Sequence, residues 1–482
     1  MNIIINGFQD QRTIPIVMKL VSSLKVKSLV FTYNTFKPDF SGFSSGATLI
    51  NWRKINFYGD YGIDFNTLKP LDEEIVDSMR KCEAVVLKMM DRLETLKDYS
   101  YRERKELYLK HLRYWNDLVE RKKIDFFLSS NVPHETSDFV CYSLCKLKNI
   151  QTVMLFQTHI PDTCFICEDW ESSDYGIISE YKKLKERYIG YDPDDIKLTK
   201  RFEEYYRIQT EFKINSAPFY MFKKSLFREG RAKIVSISGK LRKDPMVYFR
   251  EAGVVTRALT RRFSNYFRVR LLMNYYERRC TKFDPKEKYF FVALHVQPEM
   301  STSPRADVYV EQLLMIQLLS AVVPSDTKIF VKEHPNQQSH TRSKEYYQQI
   351  LSLPNARLMS RRLNSADLIS SCLAVVTCVG LVGFEGLFRG KPLLMFGHDF
   401  FQHSPGVFSI RTRFDLKLAI DRILKGPTFS PRDFKIFLKA MENVSVNGTI
   451  DSDYLLTSNL EDSNNTSNIT QAIFKKLGKT RV

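Results

Sequence analysis

Short apolar runs bounded by turn residues alternate with amphipathic stretches over most of the chain. The first is Ile3 to Ile5, and Ser28 to Tyr33 is the next. A charge-rich region from about Leu71 to Lys122 interleaves Arg, Lys and Glu with Leu and Val at helical spacing. Ile124 to Ser130 and Thr152 to Phe156 read as buried strands, with a helix from about Glu135 to Lys148 between them. Continuous apolar strands separated by helices are the pattern of a parallel sheet covered on both faces.

The alternation is cleaner in the second half. Tyr289–Leu294, Lys328–Lys332, Ala356–Met359, Leu373–Thr377 and Pro392–Phe396 read as strands. Val308–Val322, Lys344–Leu351, Ala366–Ser371, Gly383–Arg389 and Arg413–Leu424 read as the helices among and after them. The expected fold is α/β: two doubly wound, Rossmann-like domains facing a cleft, with a basic helical insert. The boundaries read as 1–190, an insert at 191–287, 288–430, and a C-terminal helix with a flexible tail at 431–482. The tail expectation rests on the Asn, Ser and Thr richness of 443–470.

Charge changes this picture at one place. The 482 residues carry a net charge of +18. Between Lys223 and Lys282 there are 17 Lys/Arg and four acids, which leaves +5 for everything else. Val255, Leu259, Phe263, Tyr266, Phe267, Leu271 and Tyr275 are interleaved with these cations. A basic amphipathic helix of this kind suits an anionic membrane surface. No nucleic-acid-binding motif accompanies the charge, so nucleic acid is not an expected partner. No run of about 18 apolar residues is present, and the N-terminus reads as a strand rather than a leader. The expected location is the cytoplasm, peripheral at the inner face of the membrane.

Eight cysteines do not form a disulfide framework. Cys164 and Cys167 have C-x-x-C spacing with Cys141 and Cys145 nearby, but Phe165 and Ile166 between the thiols favour buried small hydrophobes over zinc. No metal site is expected.

Ligands in doubly wound sheets bind at the carboxyl ends of strands. Five of the eight histidines, His134, His159, His295, His334 and His398, fall just after expected strands. In the second half these ends offer His295 and Gln297, then Lys332-Glu-His334-Pro335, then Thr377 to Gly383, then Gly397-His398. Thr377-Cys-Val-Gly-Leu-Val-Gly-Phe-Glu385 has the form strand, glycine turn, helix, which presents N–H groups to a phosphate. A Walker A ending and a G-x-G-x-x-G after the first strand are both absent, against a P-loop NTPase and nicotinamide binding.

Phe330-Val-Lys-Glu-His-Pro335, Ala366-Asp-Leu-Ile, Val382-Gly-Phe-Glu385 and Gly390-Lys-Pro-Leu-Leu393 resemble the C-terminal half of bacterial capsule polysaccharide synthesis proteins, GT-B glycosyltransferases related to capsular Kdo transferases. The resemblance covers about 289–400. It is fainter over 124–176, through Asn131-x-Pro-His-Glu135 and Phe156-Gln-Thr158. In that family a small hydroxyl residue usually precedes the Val-Gly-x-Glu turn, where this chain has Leu381.

The resemblance implies a metal-independent transferase with no bound cofactor. Its donor would be a nucleotide-sugar, a CMP-sugar such as CMP-Kdo foremost, and its acceptor a surface polysaccharide or lipid-linked glycan. Lys332, His334, Pro335 and the amides of Val382 and Gly383 are then expected at the leaving phosphate. His295, Gln297, Glu385, Gly397 and His398 are expected around the rest of the donor. The acceptor hydroxyl needs a base or nucleophile, drawn from Glu135, Glu168, Asp169 or Asp174. The rival readings are a nucleotide-sugar epimerase of the same architecture and a non-catalytic capsule assembly or export partner.

Overall fold

The computed structural model describes residues 1–34, 37–40, 43, 46–95, 98–211, 264–337 and 341–478. Most of the basic stretch 223–282 therefore lies outside the described residues, which take it up again at a helix over 264–277.

The first sheet contains β1 (Asn2–Asn6), β2 (Ser28–Tyr33), β3 (Ala47–Asn51), β4 (Phe126–Ser129), β5 (Gln151–Gln157) and β6 (Thr163–Cys167). The second contains β7 (Tyr289–Ala293), β8 (Lys328–Lys332), β9 (Ala356–Met359), β10 (Ala374–Thr377), β11 (Leu393–Met395) and β12 (Val407–Ser409). A last strand, β13 (Val446–Asn447), returns to the first sheet.

The spatial order β9-β8-β7-β10-β11-β12 is the doubly wound order with every neighbour parallel. The first sheet repeats it as β3-β2-β1-β4-β5, then adds β6 and β13, each antiparallel to its neighbour. Each sheet thus has a switch point where strand order reverses, between β1 and β4 in one and between β7 and β10 in the other. A crevice opens at the carboxyl ends of strands at such a point.

Strand residues are buried on both faces, as in Ile3–Ile5, Phe126–Leu128 and Phe290–Val292. That explains why they read as unbroken apolar runs. β3, β6 and β12 were not anticipated. β3 has one buried residue and β12 none, so neither carries the apolar run of a central strand.

The tail is folded, contrary to the sequence expectation. Pro431–Val444 is a helix packed on the helix Ile177–Arg187. After β13, the helix Asp462–Lys476 lies against the helix Ile14–Ser23 and buries Ile469 and Ile473 at i, i+4 spacing. Its polar residues are structural partners: Asn465 Oδ1 accepts from Thr449 N–H, and its amide donates back to Thr449 O, both at 2.8 Å. Polar composition there reflects buried hydrogen bonding rather than disorder.

Candidate functional site

A cleft of about 1010 Å³ opens at the carboxyl ends of both sheets. From the second sheet it is lined by Lys332, His334, Pro335, Gly380, Val382 and Glu385, among others. From the first it is lined by Asn131, His134, Glu135, Phe156, Gln157 and His159. Asp451, Asp453 and Tyr454 of the returning tail close one side.

Lys332 ends β8, and its Nζ donates to Ser365 Oγ at 2.8 Å. Burial lowers its pKa to about 8, against the attraction of Glu385. Burial raises Glu385 to about 7, against Arg389 and Lys332. His334 is lowered to about 4 by burial, against the pull of Glu333, so it is neutral at pH 7. Asn336 N–H donates to His334 Nδ1 at 3.1 Å. A neutral ring that accepts at Nδ1 carries its proton on Nε2. His334 therefore offers a donor. Arg361 donates to Pro335 O and pins the same loop.

The glycine turn after β10 is held by His295. Val379 N–H donates to His295 Nε2 at 3.1 Å, and Thr377 Oγ1 lies 2.9 Å from the same nitrogen. A Cβ on Gly380 would sit 2.8 Å from Thr377 Oγ1 and 3.3 Å from the His295 ring, so only glycine fits. The helix Leu381–Phe388 starts there. Its first amides, Leu381 and Val382, have no acceptor within the helix, whereas Gly383 N–H donates to Gly380 O at 2.9 Å. The amides left without an intrahelical acceptor at this end are thus 381–382, whereas the expected pair was 382–383. Gly383 instead packs against Leu393, which a Cβ would meet at 2.7 Å.

On the opposite wall His134 Nδ1 donates to Val132 O at 2.7 Å. Burial keeps the ring's pKa low, which leaves a lone pair on Nε2, 4.0 Å from Glu135 Oε1. Arg92 ties the two walls together by donating to His134 O and to Ser303 O.

Several expected site residues lie elsewhere. Glu168 pairs with Lys476 at 3.2 Å, and Asp169 pairs with Lys146 at 3.4 Å while capping the Glu171–Ser172 turn. Both follow β6, which runs antiparallel to β5, so the end of β6 at Cys167 lies beside Met154 rather than Gln157. Its carboxyl end is on the edge away from the cleft. Asp174 caps Gly176. Gln297 is buried, and its Oε1 accepts from Arg342 Nη1 at 2.8 Å. A Cβ on Gly397 would strike Arg305 O at 2.6 Å, so that glycine serves packing. His398 Nδ1 lies 2.7 Å from Glu171 O and its ring meets Trp170 edge-on at 5.5 Å. That histidine wedges the two domains together beside the cleft.

The cysteines at 141, 145, 164 and 167 are buried free thiols. Burial pushes Cys164 and Cys167 up to about 12. Among the described residues no group of three His, Cys, Asp or Glu is placed to hold a metal ion, and no helix is long and apolar enough to cross a membrane.

Two doubly wound domains facing a cleft, with the cations and glycine turn on one wall, define a GT-B-like protein. Residues 255–412 match the family described as capsule polysaccharide biosynthesis protein. No curated protein matches the chain. Among solved structures it is similar to KpsC, a beta Kdo 2,7 transferase of Thermosulfurimonas dismutans. The identity is 12% and the TM-score 0.31, over 81% of this chain and 95% of that one. It is also similar to the UDP-GlcNAc 2-epimerase of Methanocaldococcus jannaschii, at 11% identity and a TM-score of 0.25, over 92% and 98%. At such scores neither likeness decides activity or substrate.

Proposed function

We propose that the protein is a glycosyltransferase of capsule biosynthesis that moves a sugar from a nucleotide-sugar, a CMP-sugar foremost, to a surface polysaccharide or lipid-linked glycan. The observation that carries the reading is one wall of the cleft. There Lys332 Nζ, the Nε2–H of His334 and the amides of Leu381 and Val382 lie at the carboxyl ends of β8 and β10, the two strands that flank β7. In transfer, negative charge grows on the leaving phosphate, and fixed donors in a partly dry site stabilise it most. Backbone amides supply what the missing hydroxyl at Leu381 does not.

The acceptor hydroxyl must lose a proton as its bond to the anomeric carbon forms. His134 Nε2 carries a lone pair on the facing wall, beside Glu135, and serves as that base. Sequence reasoning placed the base among carboxylates and passed over His134. The signal was present in Asn131-x-Pro-His134, but only the tautomer fixed by Val132 O makes the histidine a base.

Transfer proceeds here without a bound cofactor or metal ion. The basic stretch 223–282 brings the cleft to an anionic membrane surface where a lipid-linked acceptor resides, at the cytoplasmic face. Incubation of the purified protein with CMP-, UDP- and GDP-sugars and a panel of acceptor glycosides tests the reading, scored by nucleotide release and product mass. Release without transfer, or interconversion of a UDP-sugar with its epimer, would overturn it.

A further inference from the structure

A second cavity, of about 370 Å³, opens beside the cleft and shares Asn131, His134, Glu135 and Asp451 with it. It sits at the switch point of the first sheet, where β1 ends in Asn6 and β4 ends in Ser129. Its size falls in the range of small-molecule sites, about 300–1,000 Å³. We propose that this cavity is a saccharide site that takes an uncharged, hydroxyl-rich sugar residue and rejects acidic ones. That it holds the acceptor end rests on the transferase reading; the binding selectivity does not.

The lining carries the inference. Asn34, Ser129 and Ser130 supply an amide and hydroxyls, Asn6 is held by Thr32 and Asp138 behind them, and the half-buried Trp52 supplies an aromatic face. Sugar rings present hydroxyls at their rims and C–H groups on their faces, which suits this combination. Two acceptors are left unused by the protein. Asp138 is only 7% exposed and takes a side-chain hydrogen bond from Asn6, yet its Oδ1 has no partner; the Oδ1 of the half-buried Asn34 also has none. A buried acceptor without a donor is unfavourable, and a sugar hydroxyl would satisfy it. Gly7 brings the backbone in close: at φ +83° it lies where a Cβ would meet Ser130 Oγ at 2.2 Å.

Charge separates the two cavities. The main cleft carries Arg92, Arg305, Lys332, Arg361, Arg362 and Arg389 interspersed with seven carboxyl groups, so an acidic ligand there finds cations. Among the described residues the second has no Lys or Arg in its lining, but has the carboxyl groups of Asp10, Glu135, Asp138 and Asp451. A uronic acid placed there would bring a carboxylate among carboxyl groups with no cation to offset it. An uncharged sugar would donate to the same oxygens. At the shared wall its hydroxyl would meet His134, so that a neutral residue is glycosylated by a donor bound among cations.

The test is direct binding of p-nitrophenyl glycosides of glucose, galactose, mannose and N-acetylglucosamine, with those of glucuronic and galacturonic acid, to the full chain by calorimetry without any donor. At least one neutral glycoside should bind about tenfold or more tighter than either uronide, because a carboxylate set against carboxyl groups is penalised. Trp52→Ala should abolish that binding at unchanged melting temperature, and Trp52→Phe should restore part of it. Asp10→Lys should raise uronide affinity, a gain that misfolding cannot produce. Equal binding of uronides and neutral glycosides, no binding of any neutral glycoside, or binding indifferent to Trp52→Ala would overturn the site. A chain that is inert with every nucleotide-sugar yet keeps this selectivity would overturn the transferase reading alone.

Discussion

Arg342 Nε donates to Glu333 Oε2 over 2.8 Å, and both side chains are sealed from solvent. The other oxygen of Glu333 accepts from His334 N–H at 2.9 Å, and Tyr347 donates its hydroxyl to Oε2 at 2.8 Å. The acid of Lys332-Glu-His334-Pro335 therefore works behind the cleft, holding the loop that presents His334. Tyr276, from the helix that ends the basic stretch, accepts from Glu333 N–H at 2.9 Å and donates to Met359 O at 2.6 Å. The loop is braced from two directions.

Glu333→Gln keeps the shape and removes the charge, leaving Arg342 buried without its counter-ion. Breaking a buried pair in this way costs about 3–5 kcal/mol. The expected result is a melting temperature lower by several degrees, read by circular dichroism. A variant that melts with the wild type would show that the pair is not a structural brace.

His334→Ala removes the Nε2–H donor from a loop whose brace is intact. Loss of one preorganised donor at the leaving group lowers turnover by about 10²-fold or more. Nucleotide release should fall on that scale while the melting temperature is kept. Near-normal release would dismiss His334 from the phosphate.

The pH profile tests Lys332 and Glu385 together. Lys332, lowered to about 8 by burial, loses its charge above that pH. Turnover should decline above about pH 8. Glu385 raises Lys332, so Glu385→Gln should move the alkaline limb to lower pH. Lys332→Arg should hold charge throughout and flatten the limb. Stability moves separately. Glu385 binds its proton more tightly in the folded state, where its pKa is about 7, so its contribution is full below the ordinary carboxyl range and is lost as pH rises to about 7. Lys332 has the opposite sign, since the unfolded state holds the proton better, and stability from it rises with pH above about 8.

How much of this was legible in the sequence differs between the halves. In the second sheet the strands are central and apolar, and Lys328–Lys332 and Ala356–Met359 coincide with β8 and β9. In the first sheet β6 is apolar but antiparallel. That strand was not anticipated, so Glu168 and Asp169 were expected in the cleft from their closeness to Gln157, whereas the antiparallel strand carries them away from it. Gly397 and His398 follow a parallel strand and still miss the cleft, because the Arg305 backbone and Trp170 fill the space beside them. His295 shows a third limit: its place at a strand end was readable, but its engagement with Val379 and Thr377 is tertiary. The tail misled because Asn465 and Thr449 look like linker residues until their partners are in view.

The helix over 264–277 carries the membrane expectation within the described residues. Leu272, Met273 and Tyr276 are buried against the second domain, whereas Tyr266, Phe267 and Leu271 are exposed, Leu271 by 66%. Arg268 and Arg270 lie on the same exposed stretch. Large apolar side chains beside arginines on the outer face of a helix suit an anionic interface, where each cation contributes about 1 kcal/mol. Co-sedimentation with vesicles of phosphatidylglycerol and phosphatidylcholine should be strong at low salt and fall as ionic strength shortens the Debye length. Replacing Arg257, Arg261, Arg262, Arg268 and Arg270 with Gln should release the protein from the vesicles and leave nucleotide release with a soluble acceptor unchanged. Substituting Phe267 and Leu271 with Ser should weaken binding that remains at high salt, since apolar insertion is not screened. If wild type and the Gln variant partition equally between vesicles and supernatant, the basic stretch is a solvated linker and the acceptor reaches the cleft from solution.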